Sequence, residues 1–221
     1  MKITLILNRD AGTLRTLDAR AVSEELAGIF RAEGHDVSVV VATGEDAVAA
    51  IKKAAKAEGT GAIVVGGGDG TISAAAAIAA ESGTTLGILP LGTMNFFARS
   101  LGVPAEMKAA AVALAKGEVA VVDIARVNGR PFVHTLSLGL HPKMVEEREK
   151  LAYSSRYGKI LGSVRAFVRV LRGPRRFFVS IETDGKTVVR RTAGVVVSNN
   201  PLGKGHIPYA DRLDKAYSAS T

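Results

Sequence analysis

Short apolar runs alternate with amphipathic segments through the first half of the chain. The runs KITLIL, HDVSVVVA, AIVV and TLGIL predict four buried strands. Helical spacing of apolar residues, or a high content of Ala and Lys, predicts helices over about 13–31, 45–58, 72–80 and 104–116. Strands that alternate with helices imply βαβ units. We therefore expect a doubly wound, Rossmann-like parallel sheet in an α/β domain over residues 1–120.

The pattern changes in the second half, where strand signals follow one another. EVAVVDIARVNG and RPFVHTLSLGL predict paired strands about an Asn128-Gly129 turn, and an Asp184-Gly185 turn predicts a second pair. A long basic helix is expected between these pairs, at about 142–172. Residues 121–221 are therefore predicted to form a mostly antiparallel β-sandwich domain, incomplete at the C-terminus, with this helix as an insertion.

Net charge and aromatic content limit the kinds of molecule that the chain is expected to bind. The chain has 221 residues, no cysteine and a formal net charge of +8, which favours an anionic partner such as a nucleotide or an acidic lipid surface. Aromatic residues make up only 5%, without tryptophan, so stacking on single-stranded nucleic acid is not expected. No apolar run approaches the roughly 20 residues of a membrane span. A cytoplasmic protein, peripheral to the membrane, fits this composition.

The third predicted strand is followed by GGGDGT at residues 66–71, where a helix is predicted to begin. Free N–H groups and the helix dipole favour an anion there, and the four glycines leave room for phosphate oxygens. The loop lacks the G-K-[S/T] of a P-loop, and Thr71 stands where a G-x-G-x-x-G motif would end in glycine. The alternative is an ordinary strand-to-helix turn, in which Asp69 or Thr71 only caps the helix.

A second loop lies within LGILPLGTMNFFAR at residues 86–99 and also leads from a strand into a helix. Ligands of doubly wound sheets gather at the carboxyl ends of strands, so the two loops could face one cleft. Thr93 and Asn95 would offer a hydroxyl and an amide there. Ordinary Pro-Gly turn chemistry, with Asn95 as a helix cap, is the alternative.

Together the two loops resemble the diacylglycerol kinase catalytic-domain family, within the superfamily that also contains NAD kinases. LILNRDAG, with Asn8, stands where that family has N-P-x-S-G, and Thr43 in VATGEDA matches its T-x-x-x-x-A segment. LSLGL and SNNPLGKG match its later strand motifs. NAD kinases and phosphofructokinases share the G-G-D-G-T element, whereas the P-L-G-T-x-N loop points to lipid kinases.

The resemblance implies Mg²⁺-dependent transfer of phosphate from ATP to the hydroxyl of diacylglycerol or a similar lipid. The lipid would enter between the two domains from a membrane surface. Asp69 would be the catalytic residue, acting with Mg²⁺ or near the reacting hydroxyl. The expected nucleotide-binding residues are Asn8, Thr43, Gly66, Gly67, Gly68, Gly70, Thr71, Thr93 and Asn95.

The chain departs from the family in four places, of which one is Arg9, where the family's early Pro would stand. Phe96 replaces the Asp that usually follows the Asn of the second loop. The late D-G-x-L-D-V segment corresponds to ADRLDKA, which makes Asp214 the candidate for the metal-linked acid. The chain ends at Thr221, before the D-G-E-like segment that bears the family's proposed general base.

The predicted basic helix carries Arg165, Arg169 and Arg172 opposite an apolar stripe. Such a face suits an anionic bilayer, at about 1 kcal/mol per basic residue near the surface. A core-packed helix with a solvated outer face is the alternative. The four histidines, at positions 35, 134, 141 and 206, lack metal-ligand spacing and are expected to be structural or exposed.

A lipid kinase is therefore the leading hypothesis from sequence. The second is a nucleotide- or lipid-binding protein that does not catalyse transfer, because the general base is missing. The third is a kinase for a soluble substrate, related to NAD kinase. Homodimer formation is left open.

Overall fold

The computed structural model describes residues 1–139 and 176–199. These residues fall into two compact units, the first made of 1–134 with 198–199 and the second of 135–139 with 176–197. The predicted basic helix with Arg165, Arg169 and Arg172 lies outside the described residues, as does Asp214. None of the helices within the described ranges is long and apolar enough to cross a membrane.

The first unit contains the predicted parallel sheet. Its four strands, in the order β2-β1-β3-β4, are β1 (Lys2–Asn8), β2 (Asp36–Ala42), β3 (Ala62–Gly67) and β4 (Thr85–Pro90). All three pairings are parallel, and β1 lies between β2 and β3. The prediction of a Rossmann-like α/β sheet is confirmed.

Five α-helices connect or follow these strands. They are α1 (Ala19–Ala32), α2 (Gly44–Ala55), α3 (Asp69–Ser82), α4 (Phe96–Ser100) and α5 (Met107–Lys116). The helix expected over 13–31 is divided into a 3-10 turn and α1. The division falls at Asp18, whose side chain accepts the N–H groups of Arg20 and Ala21 and so starts α1 afresh.

Both faces of the sheet are buried. Leu5 and Leu7 of β1 belong to the apolar cluster that includes residues of α1 and α5, whereas Ile6 belongs to the cluster that includes residues of α2 and α3. Successive residues of a strand point to opposite faces, so a strand covered on both sides needs an unbroken apolar run. This arrangement explains the unbroken apolar runs at residues 5–7 of β1 and 62–65 of β3.

A short hairpin lies near the end of the 1–134 segment of the first unit. Strands β5 (Ala125–Val127) and β6 (Arg130–Phe132) pair antiparallel about Asn128 and Gly129, whose φ angles are 49° and 78°. The strand expected over 118–129 is therefore shorter than predicted. The hairpin contacts α3, and Val133 is buried in the same cluster as α3. The boundary near residue 120 stays a prediction, although this hairpin lies with the α/β unit.

The second unit is built of strands in its described part. They are β7 (Thr135–Gly139), β8 (Phe177–Thr183), β9 (Lys186–Thr192) and β10 (Gly194–Ser198). Strands β8 and β9 pair antiparallel about Asp184 and Gly185, as predicted, and β7 pairs with β10. The α/β sheet is thus followed by antiparallel strands, which confirms the predicted fold class.

Candidate active site

The loops that follow the strands of the parallel sheet are joined into one cluster at its carboxyl edge. The order in which strands are added reverses at β1, because β2 lies on one side of β1 whereas β3 and then β4 lie on the other. The switch point is therefore between β1 and β3. Such a switch point opens a crevice for ligands. Thr13 N–H donates to the Leu91 carbonyl at 3.0 Å, and Leu91 N–H donates to the Gly67 carbonyl at 3.1 Å. The loops after β1, β3 and β4 are therefore held together by backbone hydrogen bonds.

Two glycines of the GGGDGT loop are required by packing. A Cβ on Gly66 would lie 2.6 Å from methyl carbons of Leu7 and Leu91, and one on Gly67 would lie 2.6 Å from Cβ of Thr71. Gly70 differs from both, because it is exposed and nothing lies within 4 Å of the position its Cβ would take. The position of Gly70, at the start of α3, is thus open to solvent.

The glycine loop and the second loop touch each other at Gly68 and Gly92. A Cβ on Gly92 would lie 2.6 Å from Cα of Gly68 and 2.9 Å from Oδ1 of Asn95. The sequence interpretation omitted Gly92, although its place in the P-L-G-T-x-N loop was a usable signal. Glycine at position 92 allows the two backbones to approach closely.

Asp69 binds the second loop through both of its carboxylate oxygens. Oδ2 accepts the N–H of Asn95 at 3.0 Å, and Oδ1 accepts the N–H of Phe96 at 2.7 Å. Asp69 therefore serves the start of α4 and does not cap its own helix, α3. The preceding residue, Gly68, is the N-cap of α3 and has no side chain with which to cap it.

Asn95 shapes the second loop from within. Its Oδ1 accepts the N–H of Gly92 at 2.9 Å, and its Nδ2 donates to the carbonyl of Gly92 at 2.7 Å. Its φ of 50° lies in the left-handed region, which Asn tolerates better than most residues. The amide is thus engaged within the loop, and its predicted contact with a nucleotide stays a prediction.

The remaining predicted residues lie along the same edge. Asn8 Nδ2 donates to Oγ1 of Thr71 at 2.8 Å, which joins the end of β1 to the start of α3. Asn8 Oδ1 accepts the N–H of Asp10, and Asp10 Oδ2 accepts the N–H of Gly44 at 3.1 Å. This chain of contacts brings Thr43, the exposed N-cap of α2, to the same group of loops.

Thr93 is exposed and lies beside the loop that follows β1. Its Oγ1 is 3.7 Å from the position that a Cβ on Gly12 would take. The cluster therefore brings together the two predicted loops and Asn8, and it leaves the Thr93 side chain accessible.

His134 is a residue of this site that the sequence interpretation did not identify. Its Nε2 lies 3.4 Å from Oδ1 of Asp69, and its ring meets Phe96 and Phe97 edge to face. Nε2 is buried without a hydrogen-bond partner in the described part of the chain. Burial lowers the pKa of the His134 imidazole, and the Asp69 carboxylate offsets part of that effect. No sequence motif marks His134, because its proximity to Asp69 arises only from the fold.

No cluster of three or more metal-ligating side chains occurs within residues 1–139 and 176–199. Asp69, with its two N–H partners, is the carboxylate at the junction of the two loops. A Mg²⁺ ion bound with a nucleotide usually needs only one or two protein carboxylates, because phosphates and water complete its shell. The described residues thus fit a site in which a cation arrives with its nucleotide.

Comparisons with known proteins identify relatives of this chain. The family model for the diacylglycerol kinase catalytic domain matches residues 2–127. The "Probable lipid kinase YegS-like" of Pseudomonas aeruginosa is 33% identical over 183 residues, which cover 80% of this chain and 57% of that protein. Its namesake from Klebsiella pneumoniae is 38% identical over 132 residues, covering 58% and 44%.

A similar solved structure is the crystal structure of a diacylglycerol kinase from Bacillus anthracis strain Sterne. It matches with a TM-score of 0.66 and 30% identity, over 90% of this chain and 64% of that one. The chain spans about half the length of the curated relatives it matches.

Proposed function

The chain belongs to the diacylglycerol kinase catalytic-domain family, and from this membership we propose that it is an ATP-dependent lipid kinase. The observation that carries the proposal is the junction of the two glycine-containing loops at the start of α3. Gly68 and Gly92 touch there, Asp69 fixes the second loop, and Gly70 borders open space. The family's paired loops are thus assembled in this chain.

ATP would bind with its phosphates at the start of α3. Gly68 leaves the first N–H groups of that helix without a side-chain cap, and the helix dipole favours negative charge at this end. Thr71 Oγ1 accepts a hydrogen bond from Asn8, so its own hydroxyl hydrogen remains to donate to a phosphate oxygen. Thr93 is accessible on the facing loop for a second hydroxyl contact.

The chain's own residues would contribute mainly by positioning. Phosphoryl transfer depends on placing the reactants and on stabilising charge, with little covalent chemistry for the protein to perform. Asp69 holds the second loop by two charge-assisted hydrogen bonds, which fix the distance between the loops that would flank the phosphates. Mg²⁺ would supply neutralisation of phosphate charge, and Asp214 remains the proposed metal-linked acid.

The proposed acceptor is the hydroxyl of diacylglycerol or a similar lipid. Two kinds of comparison support it: relatives named as lipid kinases, and a solved structure named as a diacylglycerol kinase. The proposal includes action at a membrane surface, from the cytoplasmic side, with Arg165, Arg169 and Arg172 facing anionic lipids. The high net charge of +8 is consistent with such a surface.

A transfer assay tests the proposal. The 221-residue chain would be incubated with ATP labelled at the γ-phosphate, Mg²⁺ and vesicles of phosphatidylglycerol containing diacylglycerol, and the labelled lipid would be measured. We expect labelled lipid with the native chain, a large loss with Asp69→Ala, and no loss with Asp18→Ala, which changes the start of another helix.

Other outcomes separate the alternative functions. Binding of ATP without labelled product, measured by calorimetry, would support a non-catalytic nucleotide-binding protein. In a parallel assay with NAD in place of the vesicles, labelled NADP with no labelled lipid would support a kinase for a soluble substrate. Absence of any ATP binding would contradict the proposed site itself.

A further inference from the structure

His134 contacts the glycine loop without belonging to either predicted loop. It follows β6, and the preceding residue, Val133, is only 1% exposed and packs in the cluster that contains residues of α3. The backbone carbonyl of His134 accepts the N–H of Asn199 at 2.9 Å. The imidazole is therefore presented to Asp69 from a fixed backbone.

Aromatic contacts hold the imidazole ring in place. The ring centroid of His134 lies 5.9 Å from that of Phe96 and 6.0 Å from that of Phe97, at interplanar angles of 75° and 89°. Edge-to-face pairs of this kind are favourable beyond the area they bury. Since Phe96 also gives its backbone N–H to Asp69, one residue links the ring to the carboxylate.

The protonation state and tautomer of the imidazole decide whether Nε2 can donate a hydrogen bond to Asp69. Burial lowers the pKa of His134, so the ring carries one N–H at neutral pH. A lone pair on Nε2 would face the negative Oδ1 of Asp69, whereas a hydrogen on Nε2 faces it favourably. The tautomer protonated at Nε2 is therefore the one that fits the site.

The role of this contact, which rests on the proposed nucleotide binding, concerns how an acid is tolerated beside a phosphate. A carboxylate beside a triphosphate is repelled, unless donors from the protein hold it and offset its charge. Asp69 has two backbone donors at 3.0 and 2.7 Å, and His134 Nε2 lies 3.4 Å from its Oδ1 without forming a hydrogen bond. A small shift and rotation of the imidazole would align an Nε2–H with Oδ1 and complete a third hydrogen bond.

We propose that His134 is a positioning residue for the nucleotide loops, whose Nε2–H holds the Asp69 carboxylate against the N–H groups of Asn95 and Phe96. The contact becomes a hydrogen bond when ATP binds. The negative charge of the phosphates destabilises the nearby Asp69 carboxylate, so a hydrogen bond donated to that carboxylate becomes more favourable. His134 acts through Asp69 and does not itself touch the nucleotide.

Two variants separate the N–H donor from the packing of the ring. His134→Gln places an amide N–H near the position of Nε2, and His134→Phe keeps an aromatic ring without any N–H donor. The matched control is His35→Phe, since His35 also meets a phenylalanine ring, Phe30, but precedes β2 at the opposite edge of the sheet.

The affinity for ATP with Mg²⁺ would be measured by titration calorimetry on the whole chain, together with the melting temperature of each variant. We expect His134→Phe to weaken ATP binding by about tenfold, the equivalent of one hydrogen bond to a charged group. His134→Gln should remain within about threefold of the native chain, and His35→Phe should match it. Equal affinities for the Phe and Gln variants at position 134 would overturn the proposal.

A spectroscopic measurement covers the case in which a variant folds poorly. Long-range ¹H–¹⁵N correlation spectra of the native chain report the tautomer of His134, and we expect the signature of a ring protonated at Nε2, with a downfield shift of that proton on addition of ATP. A ring protonated at Nδ1 would contradict the inference. Failure of the native chain to bind ATP would instead contradict the proposed function, so the two failures are distinguishable.

Discussion

The starts of α1 and α3 use the same residue type in opposite ways. Asp18 precedes α1, and its Oδ1 accepts the N–H groups of Arg20 and Ala21 in the first turn of that helix. Asp69 is the first residue of α3, yet both of its oxygens accept N–H groups from the start of α4. Asp18 caps its own helix, whereas Asp69 leaves the first N–H groups of α3 uncapped and binds the neighbouring loop instead.

The difference explains how an acid can stand in the loop where phosphate binding is proposed. A capping side chain consumes the N–H groups that an anion would need, so a helix start with a cap is a poor phosphate site. At α3 the cap position is Gly68, and the acid is turned to other partners. The helix start therefore keeps its donors, while the carboxylate organises the second loop.

Removal of the two carboxylates gives the sharpest contrast. Asp69→Ala should lower the free energy of unfolding by about 2–4 kcal/mol, because two N–H groups lose a charged acceptor. It should also weaken ATP binding by more than tenfold. Asp18→Ala should cost about 1 kcal/mol, as for other N-caps, and leave ATP binding unchanged. Urea unfolding and calorimetry measure both quantities, and equal effects on ATP affinity would remove the distinction between the two helix starts.

A methyl group at the contact between the loops should have the next largest effect. Gly92→Ala places a Cβ against Cα of Gly68, where neither backbone can move aside easily, and overpacking of this kind costs about 1–3 kcal/mol. In α1, the same change at Gly28 meets nothing within 4 Å and should stabilise the helix by up to about 1 kcal/mol. Opposite signs in urea unfolding would confirm that glycine at position 92 serves the loop contact.

Adding a capping side chain at the start of α3 tests the same comparison by removing the difference between the two helix starts. Position 68 has extended backbone and only an ordinary contact, 3.7 Å, for an added Cβ, so Gly68→Ser can be accommodated. The new hydroxyl would cap α3 and change stability by only a few tenths of a kcal/mol. We expect ATP affinity to fall nonetheless, because the hydroxyl competes for the same N–H groups. An unchanged affinity for ATP would contradict phosphate binding at the start of α3.

The smallest expected effect concerns pH. Burial lowers the pKa of His134 below its usual value of 6.5, so the unfolded chain binds a proton more readily than the folded chain. The stabilisation from neutral His134 is fully present above pH 6.5 and is lost as the pH falls through the lowered pKa. His134→Gln should therefore lose less melting temperature than the native chain between pH 7 and 5. A parallel decline of the two curves would contradict this assignment.

Sequence periodicity was sufficient for most of the fold. Short, mainly apolar runs predicted the four strands of the parallel sheet, and Asn-Gly and Asp-Gly dipeptides predicted two hairpin turns with positive φ. The prediction was too long at 118–129, where Val121 is 96% exposed. A strand depends on a partner as well as on β-branched residues, and composition alone does not report that partner.

The sequence by itself determined the sheet, the positions of the two loops and the family to which they belong, because these depend on local spacing and residue type. Only the tertiary structure decided which side chains meet. It directed Asp69 to the N–H groups of Asn95 and Phe96, brought Gly92 against Gly68, and placed His134 beside the carboxylate. Contacts between residues 24 to 65 positions apart depend on how strands and loops pack in space, which no local pattern encodes.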